Sequence, residues 1–303
     1  MSTATLPRIA LIGFGEAGGI LGVDLAAQGA AVSAYDRLIL QPASRAPLQA
    51  RAAAAGVRLA ESAAEAVEGA GWVISAVTAG SALEVAGDVA PLLGAGQLFI
   101  DINSVAPNTK RAARALIEAT GAGYIDAAVM APVPPKRLKT PILLGGRDAA
   151  ALVPELARLG FNVRAVSEEI GVASAIKMCR SIMIKGLEAL TAESMATARR
   201  YGAEEEVLRS LHQSFPEMGW NDQQPHYLIS RIAEHGRRRA EEMEEVAKTA
   251  ADVGITPHMS QATVRAQRGL VDAMAALGLN YAALEPFDWT HLADTLAAVN
   301  RSA

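Results

Sequence analysis

The chain has 303 residues, half of them hydrophobic and a fifth charged, which excludes a disordered polymer and suits two globular domains better than one. A formal net charge of −4 argues against nucleic acid or an anionic membrane surface as the main partner, because both need a basic face. The single cysteine, Cys179, excludes an internal disulfide framework and suits a reducing compartment.

The apolar stretch from Ile9 to Ala27 carries Glu16 and Asp24 and is dense in glycine, unlike a signal peptide. No stretch approaches the roughly 18 uninterrupted apolar residues of a membrane span, so a soluble, cytoplasmic protein is expected.

From Arg8 the chain repeats one unit: a short apolar run, a turn, then an amphipathic segment. The runs are Ile9–Ile12, Ala31–Tyr35, Val57–Leu59, Trp72–Val77, Leu98–Ile100, Tyr124–Val129, Ile142–Leu144 and Asn162–Val166. Short runs rich in β-branched residues read as buried parallel strands. Between them Ser62–Glu68, Ser81–Leu93 and Pro107–Thr120 have helical spacing, with Ser81 and Asn108 as candidate caps and Gly94 and Gly121 after two helix ends. This alternation predicts an α/β fold with a doubly wound parallel sheet.

After Ser167 the strands stop. Ile170–Arg200 has no proline and continuous apolar spacing, which predicts one long helix. Helices are also expected at Ala203–Ser214, Gln224–Ala251, Ser260–Leu277 and Trp289–Val299, the last capped by Asp288. The expected organisation is therefore an α/β domain over 1–167 and an all-α domain over 168–303, joined by the long helix. Arg237, Arg238 and Arg239 precede Glu241, Glu242, Glu244 and Glu245, a pattern of paired charges along one helix such as Arg238 with Glu242.

The most specific motif is Gly13-Phe14-Gly15-Glu16-Ala17-Gly18, directly after the first strand and opening a helix. The first glycine permits a tight turn, the second lets backbone approach a pyrophosphate, and the third allows close packing of helix on strand. The helix N-terminus then offers free N–H groups to phosphate. Asp36 ends the second strand, where an acid accepts the adenosine ribose hydroxyls. Together these specify a Rossmann dinucleotide site. Asp36 favours NAD, while Arg37 beside it and Arg45 nearby keep NADP open. Thr78 follows the fourth strand, and Asn103 and Ser104 follow the fifth, at the strand ends that line a cofactor crevice. Asn103 and Ser104 can both meet the nicotinamide, Ser104 also the substrate, or either can cap the helix that starts near Pro107.

The chain resembles the 3-hydroxyacid dehydrogenase superfamily, which includes 6-phosphogluconate and 3-hydroxyisobutyrate dehydrogenases. The segment Ile9–Gly18 is similar to its N-terminal motif, Asp101–Ser104 with Pro107 to its Asp-x-Ser-Thr…Pro segment, and Gly171–Lys177 to the stretch that opens its interdomain helix. From Ala233 to Met259 the likeness is to a branch with a phosphogluconate-dehydrogenase-like C-terminal domain. The resemblance implies hydride transfer between nicotinamide and an alcohol or carbonyl, a β-hydroxy compound, with Lys177 as acid and base. On its residues alone Lys177 reads first as a helix lysine reaching solvent, and the motif turns the reading to catalysis. In an apolar helix face, desolvation would lower its pKa toward working pH. Ser181, one turn on, replaces the family's asparagine.

A second departure is Met130-Ala131-Pro132-Val133-Pro134-Pro135, where the family has a serine and two glycines that bind substrate through amides. Proline has no N–H to donate, so a substrate near Met130 is not expected to be a simple 3-hydroxy acid held in the usual way. Lys185, two turns beyond Lys177, is a possible substrate anchor or an ordinary helix lysine. His235 and Arg238 are candidate substrate contacts, since in dimers of the resembled family the helical domain of one subunit often completes the other's site. Trp220, Asn221 and Asp222 form a loop without an assigned role, and Cys179 reads as a small packed side chain. No metal is expected. Ala-rich helical faces predict a homodimer. Two other functions fit the same residues: NADPH-dependent imine reduction, and nucleotide sensing without turnover.

Overall fold

The computed structural model describes residues 6–299. Its strands are β1 (Ile9–Ile12), β2 (Val32–Tyr35), β3 (Arg58–Leu59), β4 (Trp72–Ser75), β5 (Leu98–Asp101), β6 (Gly123–Val129), β7 (Pro141–Gly145) and β8 (Asn162–Ser167). They form one sheet in the order β3-β2-β1-β4-β5-β6-β7-β8. Because side chains alternate across a strand, each central strand feeds two cores. Ile9, Leu11, Ile74, Ile100 and Ile125 pack on one face. Ala10, Ile12, Val73, Phe99 and Tyr124 pack on the other. Burial on both faces explains why these runs are apolar throughout rather than alternating.

The expectation of a parallel sheet holds for β1 to β6 and is corrected beyond them. β7 pairs antiparallel with β6, and β8 pairs parallel with β7. A parallel return needs a crossover long enough to cover the sheet. Residues 130–140 hold three prolines and only two short helical turns, Val133–Lys136 and the 3-10 turn Arg137–Lys139, so the chain turns back instead.

The helices of this part are α1 (Glu16–Ala27), α2 (Pro42–Ala54), α3 (Ala63–Val67), α4 (Ala82–Val89), α5 (Pro107–Glu118), α6 (Val133–Lys136) and α7 (Ala149–Arg158). The two proposed caps differ from expectation. Asn108 lies inside α5, behind Ala106 and Pro107, and accepts a hydrogen bond from Arg111. Ser81 stands at the start of α4 but makes no side-chain bond to its amides, and its Oγ accepts from Thr78 instead.

The chain divides into two compact units after Met178. α8 (Val172–Tyr201) begins in the first and continues into the second. The second unit adds α9 (Glu204–Ser214), α10 (Gln224–Ala251), α11 (His258–Ala276) and α12 (Trp289–Val299). Asp288 Oδ1 accepts the Thr290 amide at 2.7 Å, the expected cap. At Gly236 a side chain would lie 2.7 Å from the Gln267 carbonyl oxygen, so glycine sets how closely α10 and α11 approach.

The charged run of α10 finds its partners mainly on other helices, not along its own face. Arg237 pairs with Asp272 at 3.0 Å, Arg268 with Glu244 at 2.6 Å, and Lys185 with Glu242 at 2.7 Å. Arg239 pairs with buried Glu188, which also accepts from Gln267. Among the described residues no helix is long and apolar enough to cross a membrane.

Candidate active site

The turn after β1 has the three glycine roles in measurable form. Gly13 has φ +98°, and a side chain there would lie 2.3 Å from the Ala76 carbonyl oxygen. A side chain on Gly18 would lie 2.1 Å from the Gly13 oxygen, so the helix can sit this close only with glycine. At Gly15 a side chain would meet nothing within 4 Å, and that open space lies at the cap of α1. The first-turn amides of a helix have no intrahelical acceptor, so Gly15, Glu16, Ala17 and Gly18 present N–H groups where the space is open. An open cradle, free amides and the positive end of a helix fit the pyrophosphate of a dinucleotide.

Phe14 contributes differently from its neighbours. Its ring is fully buried, its amide donates to Asp36 Oδ2 at 2.8 Å, and its carbonyl accepts from Arg51. The Arg51 guanidinium also lies 4.9 Å from the centre of the ring, a cation–π contact. The loop is thus held from both sides, by an acid on the β2 end and a base on α2. Asp36 Oδ1 accepts the Leu38 amide at 3.0 Å. A carboxylate has about four acceptor positions, so ribose hydroxyls can still be accommodated. Arg37 is exposed. Arg45 donates to both carboxylate oxygens of Glu61, at 2.7 and 2.6 Å, which neutralises one of the cations that kept a 2′-phosphate open.

At the carboxyl ends of β4 and β5 Asn103 acts as a staple rather than a helix cap. It accepts the Val77 amide at 2.7 Å and donates to Ser75 Oγ at 2.9 Å. Thr78, just beyond, is exposed. Ser104 stands two residues ahead of Ala106, the N-cap position of α5. Its Oγ accepts a hydrogen bond from Lys177 Nζ. Two sequence candidates separated by 73 positions therefore meet in the first unit.

Beneath this contact lies a charged cluster that the sequence reading did not single out. Lys110 Nζ is 2.8 Å from Asp101 Oδ1 and 3.7 Å from Asp126 Oδ1, with all three side chains shut off from solvent. Asp101 also accepts from the Tyr124 hydroxyl at 2.7 Å and the Asn103 amide at 2.9 Å. Asp126 accepts the Gly171 and Ser174 amides, both at 3.1 Å, and the Ser174 hydroxyl at 2.5 Å. Burial, and then the nearby Asp101 carboxylate, push the Tyr124 phenol well above its ordinary value. The one visible signal was Asp126 itself, a residue type depleted in strands, inside the otherwise apolar Tyr124–Val129.

Met130 donates its amide to Pro141 at 2.9 Å and packs on Ala128, Leu143 and Ala173, at the end of the sheet. In the second unit Ser181 is buried. Lys185 is buried and neutralised by Glu242, so its charge already has a partner. His235 is half-buried, and burial followed by the nearby Arg231 lowers its pKa. Arg238 is exposed, while the Glu242 expected to pair with it sits on Lys185. Trp220 is buried in this unit. Cys179 is exposed rather than packed.

Comparison with known proteins follows the same division. The sequence profile described as the NAD binding domain of 6-phosphogluconate dehydrogenase matches residues 8–164. A second, described as a domain of unknown function (DUF1932), matches residues 198–270. A 3-hydroxyisobutyrate dehydrogenase of Pseudomonas aeruginosa is 30% identical over 210 residues, 67% of this chain and 68% of that protein. Among solved structures, a conserved hypothetical protein from Sinorhizobium meliloti 1021 is 37% identical and aligns over 97% of each chain with a TM-score of 0.78. A conserved protein of unknown function, described as structurally similar to 3-hydroxyacid dehydrogenases, is 35% identical. It aligns over 88% of this chain and 98% of its own, with a TM-score of 0.71.

Proposed function

We propose that this chain, which belongs to the NAD(P)-dependent dehydrogenase family of 6-phosphogluconate and 3-hydroxyisobutyrate dehydrogenases, oxidises a β-hydroxy compound with Lys177 as proton acceptor, or runs the reverse reduction. The observation that carries this reading is the hydrogen bond from Lys177 Nζ to Ser104 Oγ. It ties the helix-borne lysine to the loop that leaves β5, the strand end where a cofactor crevice lies in this fold.

Bound nicotinamide supplies the hydride acceptor or donor. The chain's own part is the proton. When the carbinol C–H bond breaks toward the cofactor, the hydroxyl proton passes to a neutral Lys177 Nζ and the C=O bond forms. In reduction the ammonium returns that proton to the new alkoxide. A positioned acid or base of this kind contributes about 10²- to 10⁴-fold. Ser104 holds Nζ in place and offers a hydroxyl to the substrate oxygen.

NAD is the preferred cofactor on this reading. The Asp36 carboxylate would face a 2′-phosphate, and Arg45 is already paired with Glu61. The substrate is bound by side chains rather than by an amide cradle, since Pro132, Pro134 and Pro135 have no N–H to give. The working unit is a homodimer in the cytoplasm. Exposed Met183, Leu190 and Tyr227 on the helical unit support the dimer, and light scattering at micromolar concentration checks it.

Absorbance at 340 nm tests the reaction, with NAD or NADP and a series of β-hydroxy acids that includes 3-hydroxyisobutyrate. NAD-dependent formation of reduced nucleotide is expected with at least one of them. NADH binding without turnover of any would overturn the reading in favour of a nucleotide sensor.

A further inference from the structure

A hydrogen bond between groups 73 residues apart needs something to fix both ends. Ser104 lies on the loop that follows Asp101, and Lys177 lies one turn into α8, three residues after Ser174. Both anchors, Asp101 and the Ser174 turn, are held by the same buried cluster. The Asp126 carboxylate receives the Gly171 and Ser174 amides together with the Ser174 hydroxyl. It thereby fills the free donors at the start of α8 and complements the positive end of that helix. Gly171 can aim its amide there because it holds φ +98°. Lys110 spans the gap, reaching Asp101 and Asp126 with one ammonium and donating to the Asp101 carbonyl at 2.7 Å.

Three fully buried ionisable groups are a costly way to join two strands, because each must be desolvated and apolar side chains would serve stability as well or better. An apolar patch, however, slides. Directional bonds do not. We infer that Asp101, Lys110 and Asp126 form one positioning group that sets the placement of Ser104 relative to Lys177. The inference rests on the reading of Lys177 as the proton carrier, and its structural half can be tested apart from that reading. None of the three need touch substrate or cofactor.

The test compares Asp126→Asn, Ser174→Val, Ser174→Thr and Lys177→Met in the full chain. Val and Thr add the same bulk at position 174, and only Thr keeps the hydroxyl. Amide exchange over residues 102–106 and 171–178 is read without any substrate. NADH affinity is read by fluorescence, and kcat and KM with NAD and the β-hydroxy acid of the series above that the parent oxidises fastest. Exchange in both segments should rise together, at least tenfold in Asp126→Asn and at least threefold in Ser174→Val, while Ser174→Thr stays near the parent. NADH affinity should stay within twofold. Turnover should fall at least tenfold in Ser174→Val with KM for NAD unchanged, and Ser174→Thr should restore it.

Faster exchange confined to 171–178 in Ser174→Val would overturn the inference, as would Ser174→Thr behaving like Ser174→Val. If Asp126→Asn does not fold, the Ser174 pair decides. Lys177→Met separates the two ideas. Unchanged turnover there refutes the proton-carrier reading while the exchange result stands. Lost turnover there, with normal turnover in Ser174→Val, refutes the positioning group alone.

Discussion

The Asp36 carboxylate accepts the amide of Phe14 at 2.8 Å, so the acid at the end of β2 also holds the glycine turn after β1. An acid at this place in a dinucleotide-binding fold accepts the ribose hydroxyls. Here it has a second duty, and the two should fail together. Asp36→Ala removes an acceptor worth about 1.5–3 kcal/mol when charged, which corresponds to roughly 10- to 150-fold weaker NADH binding. The variant should also discriminate less against NADPH, because the charge facing the 2′-phosphate is gone. Fluorescence titration with both nucleotides measures this, and unchanged affinity for both would count against the assignment.

The glycines of the turn should respond in opposite ways to the same change. A side chain at Gly18 would sit 2.1 Å from backbone oxygen, whereas one at Gly15 meets nothing. Gly18→Ala should therefore lower Tm sharply. Gly15→Ala should melt like the parent yet bind NADH at least tenfold more weakly, because its methyl occupies the space for the pyrophosphate. Melting curves and titrations on the two proteins give the comparison, and normal NADH affinity in Gly15→Ala would relocate the phosphate.

Lys110 places one ammonium between two buried carboxylates, Asp101 and Asp126. Lys110→Met leaves both without it and should cost about 3–5 kcal/mol, as other broken buried pairs do. Adding Asp101→Asn removes one of the stranded charges and should recover part of the loss. Urea unfolding of the single and double variants tests this, and additive losses would show that the charges are not coupled.

Tyr124 predicts a pH dependence with a definite sign. Its phenol is held protonated in the folded protein by burial and by Asp101, well above the unfolded value of about 10. Above that value the unfolded chain releases this proton and the folded chain keeps it. The unfolded state then binds fewer protons, so stability falls as pH rises. Of the five tyrosines in the chain, Tyr124 should ionise only on unfolding. Tyr124→Phe should flatten the loss of urea stability between about pH 9 and 11; identical slopes in parent and variant would contradict this.

Much of this arrangement is legible in the sequence because it depends on local order. A short apolar run, Gly13 to Gly18 and then Asp36 name a strand, a turn and a helix whose spacing allows one ligand class. The long helix is legible because residues 170–200 contain no proline. The reversal at β7 is not, since an apolar run carries no direction and only the prolines of residues 132–135 hint at a missing crossover. Asn108 looked like a cap by type, but Pro107 begins the helix one residue earlier. Lys185 looked available until Glu242, far along another helix, proved to be its partner. The cluster of Asp101, Lys110 and Asp126 is invisible for the same reason: its members come from two strands and a helix. Nothing local distinguishes a buried Lys110 from any amphipathic-helix lysine.

The central claim is that Lys177 moves the proton, and Lys177→Met tests it most directly. The thioether fills the space of the lysine stem without a group that can exchange a proton. With a substrate that the parent oxidises, kcat should fall about 10²- to 10⁴-fold, while the affinity for NADH, set by the glycine turn and Asp36, stays within twofold. A variant that retains parental kcat would contradict the account.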